Sequence, residues 1–178
     1  MKMKNLNTLI LAGAVMLFSA FTISNSINWK IQESHSIKFA GTDAEGIFKT
    51  LNGEVIFDEA DLAASSLNFK IDVNSINTGN GMQNKHAVSS KWFDAETYPT
   101  INFQSTKITK GAEGYSVTGD LEIHGVKKVV TMPVSFADNT FTTKFSVNRL
   151  DYGVGTMKGM SKKVSNEIKL DVTIPVSK

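Results

Sequence analysis

The 178-residue chain has no cysteine and only three prolines and three histidines. Without cysteine there is no disulfide framework, thiolate metal site, cysteine nucleophile, redox pair or lipid-modified N-terminal cysteine. His35, His86 and His124 form no HxH or HxxxH pair, and no acidic residue stands at metal-ligand spacing beside them. A shared metal would need all three to converge from distant strands, so structural histidines bonded to backbone are the simpler reading. The nucleophile-elbow, Walker-type and dinucleotide-binding glycine motifs are also missing, and Gly153-Val154-Gly155 is a lone fragment. Asp58, Glu59 and Asp61 cluster where acidic side chains cap turns between strands. No group is singled out for acid–base work. The chain therefore reads as a non-enzyme with no catalytic residue, metal or cofactor.

A real charge excess is absent too. The 19 basic and 17 acidic residues give a net charge of +2, and Lys2 and Lys4 account for all of it. These two lysines precede an apolar run from Leu9 to Phe18 and then small and polar residues as far as Ser26. That order describes a secretory signal peptide over residues 1–26, with a single domain at 27–178 delivered to the periplasm or secreted. The run is shorter than the roughly 20 apolar residues of a bilayer span, so no membrane span is expected after cleavage. The remaining cations are scattered along a neutral chain, which leaves no basic stripe for nucleic acid.

What the sequence does contain is strict alternation. Leu67, Phe69, Ile71 and Val73 share one parity, as do Tyr115, Val117, Gly119, Leu121 and Ile123. So do Val130, Met132, Val134 and Phe136, and Phe141, Phe145 and Val147, and the run from Val164 through Ile168, Leu170, Val172 and Ile174 to Val176. Weaker runs at 27–31, 35–40, 49–57 and 101–108 bring the count to about eight or nine strands, each with one apolar face. Turn signals at Gly111–Gly114, His124-Gly125 and Asp138-Asn139 predict antiparallel neighbours. The segment near residues 80–97 predicts a short helical excursion. Such a meander either closes into a barrel or folds into a sandwich. Pro133 and Pro175 lie inside strands and need a bulge or a seam.

Of the 11 phenylalanines, all but Phe18 and Phe21 follow residue 26, together with Trp29, Trp92, Tyr98, Tyr115 and Tyr152. In a barrel these rings either fill the lumen or line it. Trp92 and Phe93 on the excursion, and Met157 and Met160 in a glycine-bearing loop, suit a mouth that admits a variable apolar ligand.

Several strings then become specific. His86–Asp94 followed by Tyr98–Phe103 resembles the HLxSxxFFD…YPxIxF stretch of the YceI-like family. Val117–Val126 is similar to its VxGxLxIHGV element, Asn148–Gly153 to its xRxDFG turn, Gly53–Asp58 to its GxIxFD strand and Ser75–Thr78 to its SIxT. The correspondences run in family order from about Trp29 to the C-terminus. The resemblance implies an all-β fold: an antiparallel, eight-stranded, lipocalin-like β-barrel, holding an isoprenoid, quinone or fatty-acyl lipid as binding protein or carrier. The inward candidates for such a lumen are Phe39, Phe57, Phe69, Ile71, Ile101, Phe103, Val117, Leu121, Val134, Phe136 and Phe145, with Trp92 and Phe93 from the excursion. Many members carry an Arg-Asp pair two residues ahead of the family's histidine, where this chain has Gln83 and Asn84. Neutral amides accommodate a quinone or fatty amide at least as readily as a pyrophosphate. A homodimer is compatible with this reading. The contrasting expectation is a structural or stress-associated interaction module whose barrel is solid.

Overall fold

The computed structural model describes residues 27–157 and 159–178. The expected signal peptide at 1–26 and the side chain of Met160 lie outside the described residues. The strands are β1 (Asn28–Ile31), β2 (Ser36–Gly41), β3 (Ala44–Phe48), β4 (Leu51–Ile56), β5 (Ser66–Asp72), β6 (Ile76–Asn77), β7 (Thr100–Gly111), β8 (Gly114–Ile123), β9 (Val126–Ala137), β10 (Thr140–Asn148) and β11 (Glu167–Ser177), with helix α1 (Gly81–Val88) between β6 and β7.

These segments make an eight-stranded antiparallel barrel. β1 and β2 are halves of one interrupted strand, since both run along β11, Ile31 opposite Val176 and Ile37 opposite Val172. β3 with β4, and β5 with β6, are interrupted in the same way, because β4 pairs β5 while β3 pairs β6. Each strand pairs with the next in sequence, and β11 returns to β1 to close the ring. Closure removes the exposed edges that a sandwich would leave.

The hairpin turns follow from their residues. His124 and Gly125, and Asp138 and Asn139, all have φ between 50° and 73°. That left-handed pair is the tight type I′ turn, and its twist matches the flanking strands. The prolines sit where a lost N–H does little harm. Pro175 turns its carbonyl to Gln32 N–H (2.9 Å), at the break between β1 and β2. Pro133 lies two residues past the last β9–β10 pair, Ser135 with Thr142. Beyond that pair β9 and β10 part, so this seam carries three paired positions where β10–β11 carries nine.

The two ends of the barrel differ. At one end lie the β4–β5 loop, the β7–β8 and β9–β10 turns and both termini of the domain. At the other lie the β2–β3 and β8–β9 turns, the α1 excursion (78–99) and the long β10–β11 connection (149–166). The helical part of the excursion is short: Asn80 caps α1 by accepting from Met82 and Gln83 N–H, and turns carry the chain on from Ser89.

Candidate functional site: an apolar lumen with one closed end

Alternation places one side chain in two inside the barrel, and these side chains leave a cavity of about 1010 Å³. Of the residues expected to face the lumen, Phe39, Phe69, Ile71, Trp92, Phe93, Ile101, Phe103, Val117, Leu121, Val134 and Phe145 border this cavity. Ile168, Leu170, Val172 and Ile174 of β11 and Met132 of β9 add to the same wall. Phe69 and Phe103 are directly paired across β5 and β7, with near-parallel rings 6.5 Å apart. Phe103 lies over Gly119, where a Cβ would come within 2.6 Å of the ring. Glycine on β8 therefore makes room for an aromatic wall.

Phe57 and Phe136 are corrections to the expected set, because neither borders the cavity. They point inward, as their parity requires, but belong to an aromatic plug at the end holding the domain termini. Phe57 packs edge-on against Tyr115 (5.1 Å), Phe136 (5.0 Å) and Phe141 (5.0 Å), and Phe136 lies 4.4 Å from Phe141. Trp29 closes the cluster edge-on to Phe136 and donates its indole N–H to the Phe57 carbonyl at 2.8 Å. Parity along a strand tells which face a residue occupies. It does not tell how far along the barrel axis the open space ends. Tyr115 donates to Glu59 at 2.5 Å, and burial, reinforced by this bond and the Glu59 charge, pushes its hydroxyl pKa up to about 12.

The opposite end forms the mouth, and the lining turns polar there: Asp43, Glu45, Thr78, Gln83, His86, Lys91 and Lys163 all reach the cavity. The two amides expected to face a head group separate. Gln83 lines the cavity, whereas Asn84 Oδ1 accepts from Thr78 N–H and Oγ1–H, both at 2.8 Å. Asn84 therefore ties down the entry to α1. His35 bonds the carbonyls of Gln32 and Lys49, and His124 the carbonyl of Tyr152, while His86 is exposed at the mouth. Among the described residues no group of three or more His, Cys, Asp or Glu side chains could hold a metal. The acidic cluster caps its loop, Asp58 accepting from Ala60 N–H and Asp61 from Ala64 N–H.

One functional residue escaped the sequence reading. Arg149 is the single arginine among the 19 cations of the chain. Its guanidinium is buried and borders the cavity. Nε donates to Ser165 O (3.0 Å), Nη1 to Val154 O (2.8 Å) and Gly155 O (2.6 Å), and Nη2 to Ser161 O (2.8 Å), Val164 O (3.2 Å) and Asn166 Oδ1 (3.2 Å). Its face lies 5.5 Å from the Trp92 ring. Only a planar fork with five N–H donors can gather so many carbonyls. Burial lowers its pKa below the ordinary arginine value. Gly155 (φ 63°) fits between the two, since a Cβ there would meet Trp92 at 2.4 Å and Arg149 at 2.9 Å. This contact joins the 149–166 connection to the excursion, so the two covers of the mouth are one packed unit.

The YceI-like domain model matches residues 26–176. The chain is a member of the YceI-like family. A UPF0312 protein of Photorhabdus laumondii is 33% identical over 129 residues, covering 68% of this chain and 66% of that protein. One from Vibrio parahaemolyticus is 37% identical over 112 residues, covering 62% and 57%. The chain thus spans about half to two thirds of the length of the curated relatives it matches, with 45% for one from Yersinia enterocolitica. The barrel superposes on the crystal structure of Burkholderia cenocepacia BcnA with a TM-score of 0.77 at 31% identity, covering 84% of this chain and 100% of that one. It matches a YceI protein of Campylobacter jejuni with a TM-score of 0.63 at 26% identity, covering 75% and 84%. A polyisoprenoid binding domain from Saccharophagus degradans shares the fold, with a TM-score of 0.61 at 17% identity over 84% of this chain and 97% of that one.

Proposed function

We propose that this YceI-like protein binds and carries one hydrophobic chain molecule, an isoprenoid, quinone or fatty-acyl lipid, in its barrel. The observation that carries the reading is the cavity: about 1010 Å³, walled by apolar side chains, plugged at one end and polar at the other. A solid interaction module would fill that space with side chains, and a catalyst would bring reactive groups together in it. Of the three histidines, His86 alone lines it.

Long-chain amphiphiles match this shape. Each buried CH₂ contributes about 0.8 kcal/mol, so a chain shielded along its length is held strongly even after the costs of association. At about 30 Å³ for each water-sized group, the lumen takes roughly 30 carbon atoms. The polar residues of the mouth, Gln83 and Lys91 among them, would face the head group. The likeness in fold to a polyisoprenoid binding domain supports the same ligand class. The basic and then apolar leader at 1–26 supports delivery to the periplasm or the exterior, where such a molecule has to cross water. Among the described residues no helix is long and apolar enough to cross a membrane.

The test is a solvent extract of the purified protein, analysed by mass spectrometry, with uptake of prenyl and acyl probes measured on the stripped protein. A hydrophobic molecule at stoichiometric yield is expected. An empty extract together with no probe uptake would overturn the reading.

A further inference from the structure

One wall of the lumen is incomplete, and Pro133 marks where it stops. In a two-residue hairpin the residues flanking the turn exchange hydrogen bonds, and such positions recur at every second residue of the ladder. Between β9 and β10 they fall at Ala137 with Thr140 and at Ser135 with Thr142. The next would set Pro133 against Lys144, and proline has no N–H to give. The β9–β10 ladder ends there, although β9 remains paired with β8 back to Val126 and β10 with β11 on to Asn148. Residues 126–134 and 143–148 therefore flank an unpaired interval, and among the described residues no other strand fills it. At about 3.3 Å a residue, this slit runs about 20 Å from the mouth down the wall.

The cavity reaches the slit. Away from the mouth, every other strand borders the cavity through inward side chains alone. Thr142 borders it as well, although its parity turns it outward and it is exposed. It stands at the last paired position, where the slit begins. Inward Thr143, Phe145 and Val147 line the cavity along one side of the interval, and Met132 and Val134 line it on the other. Both outer rims are bare: Thr131, Pro133 and Ser146 are exposed, and Val129 is 71% exposed. Lys144, opposite Pro133, leans away to Asp171 of β11 at 2.8 Å.

The mouth is a harder way in. Trp92 and Phe93 border the cavity there, and Phe93 packs edge-on to Phe48 of β3 at 6.0 Å. The Arg149 fork ties this cover down through its six hydrogen bonds and its contact with Trp92. A chain threaded end-first must part that unit. One that passes broadside between β9 and β10 breaks no ladder bond.

We propose that the slit between β9 and β10 is the portal through which the hydrocarbon chain of the ligand enters and leaves the lumen, sideways and along its length, while its head group stays at the mouth. The inference rests on the carrier reading and adds the route to it.

The experiment measures the rates of uptake and release of a fluorescent prenyl probe by stopped flow, on the stripped protein as its host processes it. The chain has no cysteine, so an introduced pair can be joined selectively by a short bifunctional maleimide. Thr131→Cys/Ser146→Cys spans the slit, and Ser146→Cys/Lys169→Cys joins the same β10 residue to its paired neighbour on β11. These positions are exposed and turned outward, so the fold should stand. Joining across the slit should slow uptake and release together by about tenfold or more, and leave the affinity unchanged. Joining β10 to β11 should change neither rate. Pro133→Thr restores the missing N–H; with one more ladder bond to break at each opening, exchange of the probe should slow roughly fivefold. Protection of the new amide in hydrogen exchange shows that the bond has formed. Wild-type rates across the joined slit would overturn the portal while leaving the carrier reading intact. So would equal slowing by the β10–β11 link, or wild-type rates in Pro133→Thr with its amide protected. A wild-type protein that takes up no probe would overturn the carrier reading, and the portal with it.

Discussion

Replacing Arg149 with methionine preserves much of the side-chain length and removes all five N–H donors. In the wild type those donors satisfy the carbonyls of Val154, Gly155, Ser161, Val164 and Ser165 and the amide oxygen of Asn166, at 2.6–3.2 Å. Among the described residues the one side-chain ion pair is Lys144–Asp171, so no carboxylate offsets the guanidinium charge. The carbonyls themselves do so. An unsatisfied buried carbonyl costs about 1–3 kcal/mol, but water will reach some of these on the mouth side. A net loss of about 3–5 kcal/mol is expected, as for other broken buried charge networks. For a domain of this size that lowers Tm by roughly 6–20 °C. Arg149→Lys is the sharper variant. An ammonium has three donors and no planar fork, so it keeps the charge and loses at least two of the contacts; it should recover less than half of the loss. Thermal unfolding gives the global value, and amide hydrogen exchange across 149–166 shows where protection is lost. Wild-type Tm together with wild-type protection in Arg149→Lys would refute the assignment of Arg149 as the hub of this connection.

Within the lumen, Phe103→Asp or Phe145→Asp places an unpaired charge on the apolar wall; each should abolish retention of a prenyl probe, while Phe103→Leu keeps it, and probe titration with thermal unfolding checks both. Phe136→Leu opens the plug at its less buried ring. Probe affinity in the wild type should rise with chain length to about 30 carbons and then level off, and the variant should move that plateau to longer chains; an unmoved plateau would contradict the role of the plug as the end of the cavity. Tyr115 supplies a pH test. With its folded pKa pushed up to about 12 and an unfolded value near 10, its contribution is complete below about pH 10 and is lost as the pH rises toward 12. The stability gap between wild type and Tyr115→Phe should therefore be constant below pH 10 and shrink above it, as urea unfolding at a series of pH values will show.

Period-two alternation was enough to identify nearly every strand, because each strand is wet on one face and apolar on the other. The tight hairpins were equally legible, since His124-Gly125 and Asp138-Asn139 tolerate the left-handed backbone that these turns require. The interruptions were not. β3 gives way to β4 where Ser75 gathers Lys49 and Thr50: its hydroxyl oxygen accepts from both of their N–H groups at 3.1 Å, and its carbonyl from Lys49 N–H at 3.3 Å. A contact 25 or 26 residues away leaves no local signature at the break. Arg149 was missed for a related reason. The motif around it was recognisable as a turn, but its five carbonyl partners lie 5 to 16 residues further on and offer only backbone, which every residue has. Its rarity, one arginine among 18 lysines, was the available clue.

The placement of the aromatic rings bears on both stability and capacity. A barrel without disulfides must be held by its ladder and by whatever fills its interior, and a lumen left open for a ligand gives up part of that filling. This chain divides the two tasks along the barrel axis. Trp29, Phe57, Tyr115, Phe136 and Phe141 pack ring on ring where β1, the end of β4, β8, β9 and β10 converge, and there the β9–β10 seam is still hydrogen-bonded. Toward the mouth the seam parts and the remaining rings stand back against the wall, with Phe103 folded over Gly119. The plug can stay rigid while the mouth half keeps its space, so ligand loss need not unfold the barrel. The mouth half gets its own order from the Arg149 fork, a device that fixes a cover through backbone carbonyls without occupying the lumen. Loosening the fork should then disturb the opening before it disturbs the plug, because the two are joined only through the strands between them.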